Sequence, residues 1–185
     1  MRKVTKEHPH AIMAASGLAR FLKVLQKWPP AMTTREALGK ALVTSDDLLQ
    51  LQLAAWQCYF SPASVIYGLS HRTGLTQGGP LGLPHSATSC ITLAPVSRAC
   101  ADCYGDKLDI FGARSAHARA AAQLADRIAG VVSSLGLPDR IGAFDLDKAK
   151  LPEGARLLKK NYPNEVADLG NNASVKLDAL LESLW

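Results

Sequence analysis

The chain has 185 residues, of which 48% are hydrophobic and 20% are charged, and its net charge is +5. This length can bury the core of one domain, and we expect residues 1–185 to form a single helical one. No apolar run reaches the roughly 18 residues that a membrane span needs, and no signal peptide is evident, so we expect a cytoplasmic protein without a membrane partner. The basic residues are dispersed, which argues against nucleic acid and favours a small anionic molecule.

The four cysteines do not form a recognisable metal or redox motif. Cys100 and Cys103 make a C-x-x-C, but no second ligand pair is spaced to complete a zinc site. The surrounding sequence also lacks the strand-to-helix turn of a thioredoxin motif. We interpret all four cysteines as small buried hydrophobic side chains in a reducing compartment.

Helical periodicity dominates the first third of the chain. Residues 10–28 have apolar side chains at helical spacing, and a Pro-Pro pair ends that segment. Thr33 or Thr34 caps a short helix, and Ser45, with Asp46 and Asp47, caps the next one. The inner part of that third helix, residues 46–60, is apolar almost all round, which predicts a central, buried helix.

The middle of the chain predicts two helices separated by an irregular loop. Ser61 opens the first of them, with a proline at its first helical position, so His71 should lie late in this helix. Residues 77–84 hold three glycines and two prolines, and this composition predicts irregular structure. A helix then restarts at His85, with a bend at Pro95.

The remaining sequence completes an all-α architecture. A long Ala-rich helix runs from Ser115 to about residue 134 and ends at Gly136. Two more helices are predicted over about residues 147–160 and 173–185, while residues 137–146 are at most a short extended piece. The chain is therefore predicted to be an all-α bundle of seven or eight helices. It has no glycine-rich fingerprint that could build a dinucleotide-binding domain.

Residues 68–96, GLSHRTGLTQGGPLGLPHSATSCITLAPV, place His71 and His85 fourteen positions apart around a Gly- and Pro-rich stretch. This segment resembles the C-terminal helical domain of iron-containing alcohol dehydrogenases, and most of all their maleylacetate reductase branch. That family has the same spacing, with the second histidine in a "PH" at a helix start. HPHAIMAASGLARFL near the N-terminus and the closing ADLGNNASVKLDALLESLW resemble further helices of the family, so the resemblance covers nearly the whole chain.

The resemblance implies a chain without the α/β domain that binds NAD(P) in whole family members. Iron-dependent members hold their metal through an Asp and a His on an earlier helix, together with the two histidines that match His71 and His85. The family's spacing puts that earlier pair just before Met1. We therefore expect neither a nicotinamide cofactor nor a metal, and His71 and His85 are metal ligands only if a metal is retained.

Two departures from the family change the expected pocket. Many members have a further histidine one helical turn after the first, where this chain has Leu75. Maleylacetate reductases often have PHAETH, where this chain has PHSATS with Ser89 at the last position. Leu75 makes the pocket more apolar and better suited to a hydrophobic substrate.

The residues that remain suggest acid–base chemistry. His85 should lie at a helix N-terminus, where the helix dipole disfavours the imidazolium and leaves a neutral base, with His71 as its acid partner. Arg72 would hold a carboxylate or enolate, and the backbone of the Gly-rich loop would face an oxyanion. Hydrogen bonds to the substrate would come from Tyr67, Gln77 and Ser86.

Two classes of function follow as hypotheses. The first is a cofactor-independent, non-redox enzyme that cyclises, isomerises, dehydrates or adds to a small conjugated or carboxylated metabolite. The second is a non-catalytic ligand-binding or scaffold module, or the C-terminal half of a split NAD(P)-dependent oxidoreductase similar to maleylacetate reductase, with His71 and His85 inherited and satisfied by core hydrogen bonds. In either case we expect a homodimer or a partner chain to cover the helical face that the missing domain leaves exposed.

Overall fold

The computed structural model describes residues 7–59, 66–104 and 117–185. These ranges contain ten α-helices and no strand, and seven of the helices are eleven residues or longer. The helices are α1 (Pro9–Leu25), α2 (Thr34–Gly39), α3 (Ser45–Cys58), α4 (Leu69–Leu81), α5 (His85–Ala99), α6 (Ala101–Tyr104), α7 (His117–Ser134), α8 (Leu151–Asn161), α9 (Pro163–Val166) and α10 (Ala173–Ser183). The predicted all-α class is confirmed.

The first three helices begin at clear capping signals. Thr33 accepts a hydrogen bond from the backbone N–H of Glu36, and the Glu36 carboxylate accepts one from the N–H of Thr33. Thr44 and Asp47 form the same capping box at the start of α3. Lys27 pairs with Asp47 at 2.5 Å, and this ion pair is the main reason that the pKa of the Asp47 carboxyl is lowered. The lysine ties the end of α1 to the first turn of α3.

Helix α3 is not the central, buried helix that its apolar sequence predicts. It packs on α1 through Ala54 and Cys58, which lie against Gly17. Its opposite face points to solvent, where Leu49 is 49% exposed and Trp56 is 68% exposed. The prediction was wrong because α1 is the main neighbour of α3 within the described ranges, and no other described element covers its second apolar stripe.

Helices α4 and α5 form an antiparallel pair whose junction differs from the prediction. Helix α4 begins at Leu69, so His71 lies in its first turn rather than late in it. Residues 77–81, predicted to be irregular, are its last turn, and Gly82 ends the helix with a φ of 74°. A Cβ at Gly74 would lie 2.9 Å from the Thr88 hydroxyl. Gly74 therefore lets α4 approach α5 closely, which offsets its helix cost of roughly 0.5–1 kcal/mol. The predicted helix start at Ser61 lies outside the described residues.

The main core lies among α4, α5, α8, α9 and α10. Leu158, Leu177 and Leu181 are almost fully buried there. The backbone N–H of Ile141 donates to the carbonyl of Leu184 at 2.7 Å, which ties the C-terminus to residues 141–143. That segment forms a 3-10 turn instead of the predicted extended piece. The long helix α7 ends as predicted, with Gly136 just beyond it at a φ of 67°.

The cysteines only partly match their predicted burial. Cys100 is buried, Cys90 and Cys103 are half-buried, and Cys58 is exposed; all four are free thiols. The prediction was wrong for Cys58 because it ends α3, at the open rim of the α1–α3 contact. Within the described ranges, no helix combines the length and apolarity required to cross a bilayer.

Candidate functional site

The rings of the two motif histidines come close together beside the α4–α5 pair. His71 lies in the first turn of α4, and His85 is the first residue of α5. Their ring centroids are 6.5 Å apart, and the ring planes are almost perpendicular, at 89°. Both side chains are exposed. The fourteen-residue spacing therefore produces an accessible histidine pair, in which each imidazole can reach a molecule lying between or beside the rings.

Tyr67 fixes one side of this pair. Its ring stacks on His71 with centroids 4.2 Å apart and an interplanar angle of 24°. Tyr67 lies outside the helix, immediately before Gly68, the extended N-cap of α4, and its ring contacts His71 in the first turn. The predicted role for Tyr67, a hydrogen bond to a substrate, stays a prediction, while the structure assigns it a contact with the His71 ring.

Arg72 is engaged with protein groups. Its Nε donates to Oε1 of Glu165 at 3.3 Å. Its guanidinium also lies 4.6 Å from the ring centroid of Tyr162 and 5.7 Å from that of Tyr67. Glu165 is only 7% exposed, so its carboxylate depends on this partner. Sequence reasoning missed Glu165 and Tyr162. Tyr162 lies between α8 and α9, and the short Pro-led helix α9 carries no periodic signal that would point toward α4.

The environment of His71 favours its neutral form. Partial burial lowers the pKa of the His71 imidazole, and the positive charge of Arg72 and the neighbouring His85 lower it further. The ordinary pKa of a histidine is near 6.5, so His71 is mainly neutral at pH 7. A neutral imidazole can accept a proton, which suits His71 for the role of a base.

Gln77 and Ser86 occupy different surroundings. Ser86 is exposed in the first turn of α5, next to His85. Gln77 is 1% exposed and lies against Gly154 of α8. The predicted substrate contacts of Gln77 and Ser86 stay predictions.

The described residues do not place His71 and His85 as neighbouring ligands of one metal ion. Two imidazoles on neighbouring coordination positions of one ion, with metal–nitrogen distances of about 2.1 Å, bring their centroids to on the order of 5 Å. The His71–His85 separation of 6.5 Å is wider. Within the described ranges, no third histidine, cysteine or carboxylate joins them in a potential metal-binding group.

Two cavities of more than 600 Å³ are lined by residues other than the two histidines. One, of about 720 Å³, is a groove between α8 and α10 with a mixed-charge rim that includes Lys159 and Asp178. The other, of about 630 Å³, lies between α5, α7 and α10 beside Cys90 and Pro95. Neither is lined by a residue that the sequence motif singles out.

Comparison with known proteins places the fold. No family model and no curated protein matches the chain. The chain is similar to one half of an oxidoreductase of the iron-containing alcohol dehydrogenase family, as the sequence resemblance implies. The solved structure is that of 1,3-propanediol oxidoreductase, with a TM-score of 0.63 and 16% sequence identity. The match covers 96% of this chain but 49% of that one, so the chain spans about half the length of its structural neighbour.

Proposed function

We propose that the His71–His85 pair carries out non-redox proton transfer on a small conjugated or carboxylated molecule, without a cofactor. The reaction class is a cyclisation, isomerisation, dehydration or addition. The observation that carries this proposal is the placement of two accessible imidazoles with centroids 6.5 Å apart. Two such groups can act on different atoms of one bound molecule, one removing a proton while the other supplies or orients one.

The surroundings support a proposal of different roles for the two rings. The lowered pKa of His71 favours its neutral form, so we assign it the role of base rather than the acid role that the sequence suggested. His85 lies at the start of α5, whose N-cap, Pro84, has no side-chain cap hydrogen bond. The first N–H groups of that helix and the Ser86 hydroxyl are suited to a carboxylate or a developing oxyanion beside His85.

A second candidate function follows from the length of the match. Because the structural neighbour is about twice as long, the chain is equally suited to supply one half of an NAD(P)-dependent oxidoreductase, or to act as a non-catalytic binding module. The exposed apolar face of α3, around Leu49, Leu53 and Trp56, would then contact the partner. In a homodimer the same face would contact a second copy.

NMR of the histidine ring resonances and of the substrate protons tests the main proposal. The purified chain is titrated with the conjugated dicarboxylates maleate and cis,cis-muconate, and exchange of their C–H protons into D₂O is followed with time. We expect shifts of the His71 and His85 ring resonances on binding, and exchange that is lost in His71→Ala and His85→Ala. His10→Gln, on α1, is the matched control and should behave like the unaltered chain. Exchange that persists in both alanine variants would reject the assignment.

The alternative has its own measurements. Titration with NADH and NADPH, followed by cofactor fluorescence, distinguishes a chain that binds a nicotinamide from one that does not. Light scattering of the chain and of Trp56→Lys reports whether the α3 face makes an interface. A mass that falls by half in Trp56→Lys indicates a homodimer through that face, and a monomer in both cases contradicts one.

A further inference from the structure

We propose that Glu165 and Tyr162 are positioning residues for His71, which act through Arg72 and Tyr67. The catalytic meaning of this inference rests on the proposed function of the histidine pair. The positioning itself is a statement about geometry, and it can be tested without any substrate. It also gives Arg72 a role that needs no substrate contact.

The chain of contacts begins at a buried carboxylate. Glu165 lies in α9 and is 7% exposed, and its Oε1 accepts a hydrogen bond from Nε of Arg72. A buried carboxylate that loses its only cation is strongly destabilising, whereas an exposed one is not. If Arg72 turned away to bind a substrate carboxylate, Glu165 would be left with that cost. Arg72 is therefore held toward α9.

Two tyrosines flank the guanidinium that Glu165 holds. Arg72 lies 4.6 Å from the Tyr162 ring centroid and 5.7 Å from that of Tyr67. Both distances fall within the range in which a cation is attracted to an aromatic face. The planar guanidinium can stack on such rings in a way that a lysine ammonium cannot. Tyr162, at the junction of α8 and α9, therefore holds the Arg72 guanidinium in place, and Arg72 in turn restrains the Tyr67 ring.

The last contact reaches the reactive ring. The ring centroids of Tyr67 and His71 are 4.2 Å apart in a stacked arrangement. The ring planes of His71 and His85 are nearly perpendicular, at 89°. An exposed histidine alone samples several side-chain rotamers. The stacking on Tyr67 selects one orientation, and the Glu165–Arg72–Tyr162 cluster holds Tyr67 in place. Residues from the C-terminal third of the chain thus set the geometry of a site that the sequence places entirely in residues 67–86.

The test measures the stacking of His71 on Tyr67. Ring protons stacked over an aromatic face are shifted upfield, so the His71 resonances report the contact in the full chain without ligand. We expect Arg72→Gln, Glu165→Gln and Tyr162→Leu to lose at least half of that upfield displacement. Tyr162→Phe keeps the ring and should retain it. Arg72→Lys keeps the positive charge but cannot stack a planar guanidinium on the tyrosine rings. This variant should therefore retain the lowered pKa of His71 and lose the upfield shift of the His71 ring resonances.

The outcomes separate this inference from the proposed function. If the His71 resonances of folded Tyr162→Leu and Arg72→Lys match those of the unaltered chain, the positioning role is wrong, whatever the catalytic result. The Tyr162→Leu and Tyr162→Phe pair decides the matter even if Glu165→Gln fails to fold, because Glu165 and Arg72 stay intact in both. A chain in which stacking is lost as expected, but proton exchange never occurs, keeps the positioning and loses the catalytic proposal.

Discussion

Gln77 of α4 lies directly against the backbone of Gly154 in α8. A Cβ added at Gly154 would overlap the Gln77 amide nitrogen and would lie 2.9 Å from the amide carbon and oxygen. Both the amide nitrogen and the amide oxygen of Gln77 are buried without a hydrogen-bond partner within the described residues. This contact joins the helix that carries His71 to the C-terminal core, and it combines close packing with an uncompensated polar group.

Gly154→Ala is expected to destabilise the chain. The added methyl group enters space that the Gln77 amide occupies, and overpacking of a buried contact costs about 1–3 kcal/mol. The free energy of unfolding in urea measures this effect. Combining Gly154→Ala with Gln77→Ala opens the space again, so the double variant should lose less stability than the sum of the two single changes. Additive losses would contradict a direct contact.

Gln77→Met is expected to be neutral or to stabilise the chain by about 1 kcal/mol. The substitution removes a buried amide whose hydrogen-bonding atoms have no partner, and the flexible methionine retains most of the volume. Urea unfolding of Gln77→Met is compared with that of Gln52→Met, an exposed position on α3 where little change is expected. A clear loss of stability in Gln77→Met alone would mean that the amide is hydrogen-bonded in solution, for example to an internal water.

Two glycines in long helices should respond in opposite directions to alanine. At Gly17 in α1, a Cβ would lie 2.6 Å from the Cys58 sulfur and 2.9 Å from the Ala54 carbonyl oxygen. Nothing lies within 4 Å of a Cβ at Gly130 in α7. We expect Gly17→Ala to destabilise by about 1–3 kcal/mol through overpacking, and Gly130→Ala to stabilise by roughly 0.5–1 kcal/mol through helix propensity. Thermal unfolding followed by circular dichroism measures both, and equal shifts in one direction would contradict the α1–α3 packing.

The sequence predicts the local signals of this fold better than its tertiary contacts. Capping at Thr33 and the helix start at His85 follow from side chains within a few residues. The last turn of α4 does not, because its glycines and proline predict irregular structure, and the local sequence does not show that Gln77 in this turn packs on Gly154 of α8. The exposure of Trp56 was also missed, because the sequence does not show how many helices pack against α3.

In the candidate site, too, the sequence predicts some features and not others. The fourteen-residue motif brings His71 and His85 together, as the spacing indicates. The partner of Arg72 could not be foreseen, because Glu165 is 93 residues away and nothing in its sequence context distinguishes it from a surface carboxylate. The burial of Gln77 was also hidden, since the helix face on which it lies depends on α4 continuing through residues 77–81.

The stability of the chain should depend on pH through His71, with a defined sign. The folded chain holds the pKa of His71 below its ordinary value of 6.5, chiefly by partial burial and then through Arg72 and His85. Between the folded pKa and 6.5, the unfolded chain therefore binds more protons than the folded one, so the free energy of unfolding rises with pH across that window. The penalty is complete below the folded pKa and disappears above the unfolded one.

His71→Gln isolates this contribution, because it removes the titrating group and leaves the other histidines and the carboxylates in place. Urea midpoints of the unaltered chain and of His71→Gln are compared between about pH 5 and about pH 8. We expect the variant to gain stability relative to the unaltered chain as the pH falls through the window, and the difference to be constant above it. Arg72→Gln removes one of the positive charges that depress the His71 pKa, so it should narrow the window. Parallel curves for the unaltered chain and His71→Gln would show that the His71 pKa is the same in the folded and unfolded states.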